Sequence, residues 1–277
     1  MINKDVSPGA YRQFREFLEQ QCGIVLGDNK QYLVRSRLGG LLHERQLTNI
    51  DELLRQSISG RDRGLLQQVI DAMTTNETLW FRDSYPFELL IRQILPTLAT
   101  RQRRIRIWSA ACSSGQEPYS IAMSILEYQR NNPGAGSLSA EILATDLSSN
   151  MLRKSEEGAY DELSLARGLS AERRQRYFQQ HASGMLQVKP EVRRMVSFRS
   201  LNLLHSYSSL GKFDIVFCRN VLIYFSTGLK QKILQQIAAQ LNPGGILFLG
   251  ASESVAAAAD CYRMVKCNPG LYYTKKD

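Results

Sequence analysis

Between about residue 73 and residue 104 the hydrophobic pattern of this 277-residue chain changes its period, and that change constrains the fold more than any other feature. From residue 8 to about 73, apolar side chains recur at helical spacing, as in Tyr11, Phe14 and Leu18, then Leu38, Leu41 and Leu42. No strand signal interrupts them. Breaks at Gly27-Asp28, at Gly60, and at Thr48, where Asp51 three positions on suggests a capping box, divide the stretch into about four short helices. After residue 104 the pattern becomes short β-branched or aromatic runs (IRIW, EILATD, FDIVFC, GILFLG) separated by helix-length segments, one of them from Pro118 to Gln129. Strands alternating with helices predict a mainly parallel α/β sheet. The C-terminal CYRMVKCNPGLYYTKK reads as two strands joined through Asn268-Pro269-Gly270, a hairpin closing the sheet edge. Residues 158–201 are more than one crossover needs, and alternating apolar residues around Gly184 and Pro190 predict either a small antiparallel insertion or an ordinary long crossover. The expected division is a small all-helical domain over residues 1–80 and an α/β domain over residues 81–277, with the insertion at 158–201.

Composition removes several function classes. A chain with 43% hydrophobic and 22% charged residues can bury a proper core and is not a disordered one. No run approaches the ~18 apolar residues of a membrane span, and the opening MINKDVSPGAYRQF has no apolar segment behind its charges. A soluble, unexported, cytoplasmic protein without membrane insertion is the expectation. Five cysteines (Cys22, Cys112, Cys218, Cys261, Cys267) without a C-x-x-C argue against a disulfide framework or a zinc site. Three scattered histidines (His43, His181, His205) make a metal cluster or a Ser/His/Asp relay hard to assemble, so no metal is expected.

The net charge of +9 would suit nucleic acid, but its distribution does not. Residues 1–80 hold ten basic and ten acidic side chains, and residues 81–110 hold six and two, including four arginines between Arg101 and Arg106. That run reads either as the solvated approach to a strand or as a surface for an acidic macromolecular partner. Within the neutral N-terminal part, Lys30, Arg35, Arg37 and Arg45 fall in one predicted helix, a local basic face suited to an acidic helix.

Open α/β sheets bind ligands outside the carboxyl ends of their strands, so the junctions after strands carry the chemistry. IRIW runs into SAACSSGQEPYS, with Gly115 at the turn, Pro118 at a helix start and Glu117 at the mouth. The next strand ends in Asp146, a carboxylate able to accept hydrogen bonds from a ribose diol. The first loop is not G-x-G-x-x-G, and with one glycine it is a poor pyrophosphate cradle. A nucleoside without phosphates fits better than a nicotinamide dinucleotide.

The strings MTTNETLWFRD, WSAACSSGQEPYSIAM, ILATDLS, FDIVFCRNVLIYF and LNPGGILFLGASES, in this order and across nearly the whole chain, closely resemble the chemotaxis receptor methyltransferases of the CheR family. The resemblance implies an α/β protein: a small all-helical N-terminal domain before a class I, Rossmann-like S-adenosylmethionine-dependent methyltransferase domain with an inserted antiparallel β-subdomain. It also implies methyl esterification of glutamates on the cytoplasmic helices of chemoreceptors, with S-adenosylhomocysteine as the product. Carried over, the cofactor contacts fall on Asn76, Thr78 and Arg82 in TTNETLWFR, Glu117 in GQEPYS, Asp146 in ATD, Asn202 and Leu203 in SLNLL, and Arg219 and Asn220 in FCRN. Arg82 and Tyr224 fall nearest the transferred methyl. Arg35, Arg37 and Arg45 are the expected docking residues for acidic receptor helices, and the protein is expected to be a monomer. Some members grip a receptor's C-terminal peptide with the β-subdomain; the turn around HASGML is shorter and less glycine-rich than in those members, which counts against tail docking. Two rivals share the fold: a nucleic-acid methyltransferase, against which FCRNVLIYF lacks an Asp/Asn-Pro-Pro-aromatic motif, and a non-catalytic S-adenosylmethionine-binding scaffold, against which Arg82 and Tyr224 are intact.

Overall fold

The computed structural model describes residues 5–101, 104–135 and 138–276; Gln102 and Arg103 of the arginine run lie outside the described residues. Four helices open the chain: α1 (Pro8–Cys22), α2 (Gln31–Glu44), α3 (Ile50–Ser59) and α4 (Arg63–Met73). Their apolar faces close around one core that includes Phe14, Leu18, Leu38, Leu42, Leu53 and Val69. Each helix starts or stops where local chemistry allows. Ser7 caps α1 by accepting from the Ala10 amide, with Pro8 in the first turn, and Asp62 caps α4 through the Leu65 amide at 2.9 Å. Three boundaries differ from the sequence expectation. α1 ends at Cys22, because Gly23 takes a left-handed cap (φ 75°) four residues before Gly27. The cap of α3 is Asn49, not Thr48: the Asn49 side chain accepts from the Asp51 amide at 2.8 Å, and the Asp51 carboxylate accepts from the Ser7 amide instead of closing a box. Lys30 and Arg45 flank α2, so only Arg35 and Arg37 are helical.

The second domain begins with α5 (Tyr85–Leu89), a π-helical turn (Leu90–Ile94) and α6 (Leu95–Ala99), then alternates through β1 (Arg104–Ala110), α7 (Gln116–Asn131), β2 (Ser139–Asp146) and α8 (Ser149–Glu157). An insertion follows, with β3 (Ala159–Tyr160), α9 (Glu162–Ala166), α10 (Ala171–Tyr177), β4 (Phe178–Gln180) and β5 (Leu186–Val188); its strands form an antiparallel sheet in the order β3-β5-β4. After α11 (Pro190–Arg193) come β6 (Val196–Ser200), β7 (Phe213–Cys218), α12 (Thr227–Gln240), β8 (Leu241–Leu249), β9 (Tyr262–Lys266) and β10 (Leu271–Lys275). The main sheet has seven strands in the order β6-β2-β1-β7-β8-β10-β9. Its first five are parallel, and the β9–β10 hairpin adds antiparallel to β8, leaving β9 at the edge. The insertion is therefore shorter than residues 158–201: Val196–Ser200 is a parallel edge strand of the main sheet, paired with β2.

Strand periodicity explains the two cores. Ile105 and Ile107 of β1, with Ile215 and Phe217 of β7, face α7 through Ile121, Met123 and Ile125. The alternate residues Trp108 and Val216 face α12 through Ile233, Leu234 and Ile237. Burial on both faces is what parallel strands require, and it is why FDIVFC reads as a nearly continuous apolar run. Trp80, placed by residue count in the helical domain, packs in the second domain's core, so residues 74–84 are a strip joining the two domains.

Candidate active site

β1 lies between β2 and β7, and successive crossovers leave it in opposite directions, which opens a crevice at the strands' carboxyl ends. A cleft there encloses about 1040 Å³, its open mouth included. All ten residues expected to touch cofactor or reacting groups, spread from Asn76 to Tyr224, line this one cleft. The helical domain closes one wall through Cys22, Ile24 and Met73.

Asp146, at the end of β2, is nearly buried. Its Oδ2 accepts from the Ser113 amide at 2.8 Å and its Oδ1 from the Ser148 amide at 2.9 Å, so the loops after β1 and β2 are tied together while each oxygen keeps a lone pair for a ligand. Burial pushes its carboxyl above the ordinary range, against the opposing pull of the Ser148 and Ser113 amides. Glu117, in the first turn of α7, accepts from Ser109 Oγ at 2.7 Å and from Arg219 Nη1 at 3.1 Å. It too is raised by burial, with the Arg219 charge pulling the other way. Arg219, whose side chain is 1% exposed, also reaches Asp83 Oδ2 at 2.7 Å and the Arg82 carbonyl at 2.8 Å. Its Nε is buried without a partner.

The strip between the domains is held from both sides. Arg37 donates to the carbonyls of Met73 and Thr74 and to Thr75 Oγ1, while Ser113 Oγ donates to the Asn76 carbonyl at 2.9 Å. Arg82 Nη1 donates to the Glu77 carbonyl at 3.1 Å. Asn202 uses its amide to bridge the domains, donating to the Gln21 carbonyl at 2.7 Å, and the Val25 amide donates to the Tyr224 carbonyl at 3.1 Å. Leu203 contributes an apolar wall. Among the described residues seven non-glycines have positive φ, and six of them belong to this site: Ala111, Ser113 and Asn220 line the cleft, and Phe81, Asp83 and Ser84 flank Arg82. Such backbone persists only where its surroundings over-determine it. Burial pushes the Cys112 and Cys218 thiols well up, so neither supplies a thiolate.

The three docking arginines do not form one basic face. Arg37 holds the strip, Arg45 binds Asp62 at 2.9 Å and Gln68, and only Arg35, paired with Asp5 at 3.3 Å, is largely solvated. Positions 35 and 37 are about 200° apart around a helix, so a shared face was excluded by spacing alone. One residue escaped the sequence reading. Glu253 Oε2 accepts from the amides of Asn220 and Gly250, both at 2.7 Å, and its Oε1 from the Leu222 amide at 2.8 Å. This carboxylate fixes the left-handed turn after β7. Its only signal was an acidic residue three positions past the end of GILFLG.

The donor set suits a zwitterionic nucleoside without phosphates. Asp146 offers acceptors for a diol, Glu117 an acceptor near a cationic group, Leu79 and Leu203 apolar surface, and Arg219 a spare buried donor. Among the described residues no helix is long and apolar enough to cross a membrane. Comparison with known proteins agrees with these features. The all-alpha domain of CheR methyltransferases matches residues 9–74, and their SAM binding domain matches residues 76–271. Chemotaxis protein methyltransferase 1 of Vibrio cholerae is 57% identical over 271 residues, covering 98% of both chains. Its namesake in Pseudomonas aeruginosa is 55% identical, covering 96% of this chain and 97% of its own, and the Escherichia coli chemotaxis protein methyltransferase is 36% identical, covering 90% and 85%. The chain belongs to the CheR methyltransferase family and is an S-adenosylmethionine-dependent methyltransferase of chemotaxis.

Proposed function

We propose that the enzyme transfers the methyl group to glutamate side chains of chemoreceptor cytoplasmic helices, forming methyl esters, and that Arg82 and Tyr224 hold the reacting groups. S-Adenosylmethionine, when bound, supplies an electrophilic methyl on a sulfonium. A glutamate carboxylate, with an ordinary pKa of about 4.3, is already ionised near neutrality and needs no general base. The observation that carries the reading is the site's composition: Arg82 and Tyr224 line one cleft with Asp146 and Glu117, no histidine is among the described lining residues, and the cysteine at the β1 loop is held protonated. Such a site suits a nucleophile that arrives ready. What remains for the protein is alignment and exclusion of water.

In this reading Asp146 holds the ribose, Asn76, Thr78, Glu117 and Asn220 complete the shell, and Arg219 fixes Glu117 and the Arg82 backbone. Arg82 spends one Nη on the Glu77 carbonyl and keeps its other donors for a carboxylate. Tyr224, anchored by its own carbonyl to Val25, faces the cleft beside the helical domain, on which Arg35 offers a solvated charge to an acidic helix. The test is kinetic. Arg82→Ala and Tyr224→Phe should each lower kcat with receptor-bearing membranes, and full activity in both would overturn the assignment.

A further inference from the structure

The insertion shares its buried core with the strip that joins the two domains. Trp80 leaves the joining strip and enters the insertion, with its ring edge-on to Tyr160 of β3 at 4.9 Å and to Phe178 of β4 at 5.3 Å. Its amide donates to the Arg167 carbonyl at 2.9 Å, and a Cβ on Gly168 (φ 95°) would lie 2.2 Å from the Trp80 carbonyl oxygen, so only glycine allows this approach. The next residue, Phe81, is left-handed at φ 49°. Its amide donates to Ser120 Oγ at 3.1 Å, and the Arg173 guanidinium of α10 lies over its ring at 3.6 Å. That guanidinium is locked in turn, with Nε and Nη2 forked onto the Glu127 carboxylate of α7 at 2.8 and 2.9 Å. Arg167 adds an ion pair to Glu77, whose carbonyl accepts from Arg82.

We propose that the insertion braces the methyl-donor site: Gly168 and Arg173 hold Trp80 and Phe81 in a backbone conformation the strip would not keep unaided, and thereby place Thr78 and Arg82. Gly168 and Arg173 are positioning residues. The inference rests on the functional reading above for the role of Arg82 and Thr78, but not for the brace itself. A planar fork clamped to one carboxylate and stacked on one ring has a single geometry, which a lysine in its place lacks. Loss of the stack frees Phe81 to leave the left-handed region, and because Arg219 holds only the carbonyl side of Arg82, the Arg82 side chain is reoriented about that anchor.

The experiment compares wild type, Arg173→Ala, Arg173→Lys, Phe81→Leu and the double variant Arg173→Ala/Phe81→Leu, with Gln179→Ala on the exposed face of β4 as a control. Expected is a fall in kcat of about tenfold or more for Arg173→Ala with the receptor KM within about twofold of wild type, because misplacement rather than lost binding is being measured. Arg173→Lys should lie nearer to Arg173→Ala than to wild type, and if Arg173→Ala does not fold it carries the same comparison. The double variant should be no worse than Phe81→Leu, since the two residues act as one unit. Wild-type kcat in Arg173→Ala, or losses that add in the double variant, would overturn the brace. Should wild type itself methylate no receptor, the functional reading fails, and the brace is still read from S-adenosylhomocysteine affinity: weakened by Arg173→Ala in wild type and unchanged by it in Phe81→Leu if the brace is right, equal in both backgrounds if it is wrong.

Discussion

Glu253 offers the sharpest test of how the site is held, because it does not itself line the cleft yet supports Asn220, which does. In Glu253→Gln one carboxylate oxygen becomes an amide nitrogen. The best compromise keeps the oxygen where two amides converge, those of Asn220 and Gly250, and turns the new NH2 against the Leu222 amide. One charge-assisted hydrogen bond is lost and two donors face each other, about 1 to 3 kcal/mol. Expressed wholly in ligand binding, that is about 5- to 150-fold in Kd. Glu253→Ala leaves all three amides without their acceptor and should be the more damaging change. Calorimetric titration with S-adenosylhomocysteine and urea denaturation of the apo protein divide the loss between affinity and stability. Asn220 in the left-handed region depends on this carboxylate, so affinity should fall in both variants, in the order wild type, Gln, Ala. Unchanged affinity in Glu253→Ala, or a Gln variant weaker than the Ala variant, would refute the reasoning.

Asp146→Asn should weaken S-adenosylhomocysteine binding near neutral pH by about 1.5 to 3 kcal/mol, about 10- to 150-fold in Kd, and an unchanged Kd by titration would remove Asp146 from the ribose. Burial raises the Asp146 carboxyl, and a diol donates to its ionised form, so wild-type affinity should be full above that raised pKa and decline as pH falls through it, earlier than an ordinary aspartate at about 3.9 would allow. In Asp146→Asn the decline should flatten; parallel profiles would contradict the assignment. Apo stability shifts the opposite way through this group: the folded state binds the proton more tightly than the unfolded state, so acidification through the same window stabilises rather than destabilises. Arg35→Glu should impair receptor methylation while leaving S-adenosylhomocysteine affinity intact, whereas Arg37→Glu should weaken both, because Arg37 holds residues 73–75 against the cleft. Equal effects of the two reversals on cofactor affinity would count against this division.

The parts of the fold written in long periodic segments were legible. Helical spacing in Phe14, Leu18, Leu38 and Leu42 and the two-sided run FDIVFC marked a helical core and a buried parallel strand, because burial on fixed faces imposes those periods. β6 was not legible, since an edge strand of five residues with none fully buried carries little pattern. The cap at Asn49 was missed because Thr48 beside it has the same capping chemistry, and the choice is made by backbone angles that composition does not encode. In the site, the residues at strand ends could be read, but the supports could not. Glu253, Asp83 and Arg173 act through partners 33, 136 and 46 positions away, and only the folded chain brings those positions into contact.

The central claim is that this cleft passes a methyl group to a receptor carboxylate. The direct measurement incubates the purified enzyme with methyl-labelled S-adenosylmethionine and, in parallel, receptor-bearing membranes or total cellular RNA, then treats the products with base and collects volatile methanol. Label on receptor bands that base releases as methanol is the predicted result, as a glutamate methyl ester requires. Base-stable label, or label on RNA alone, would contradict it.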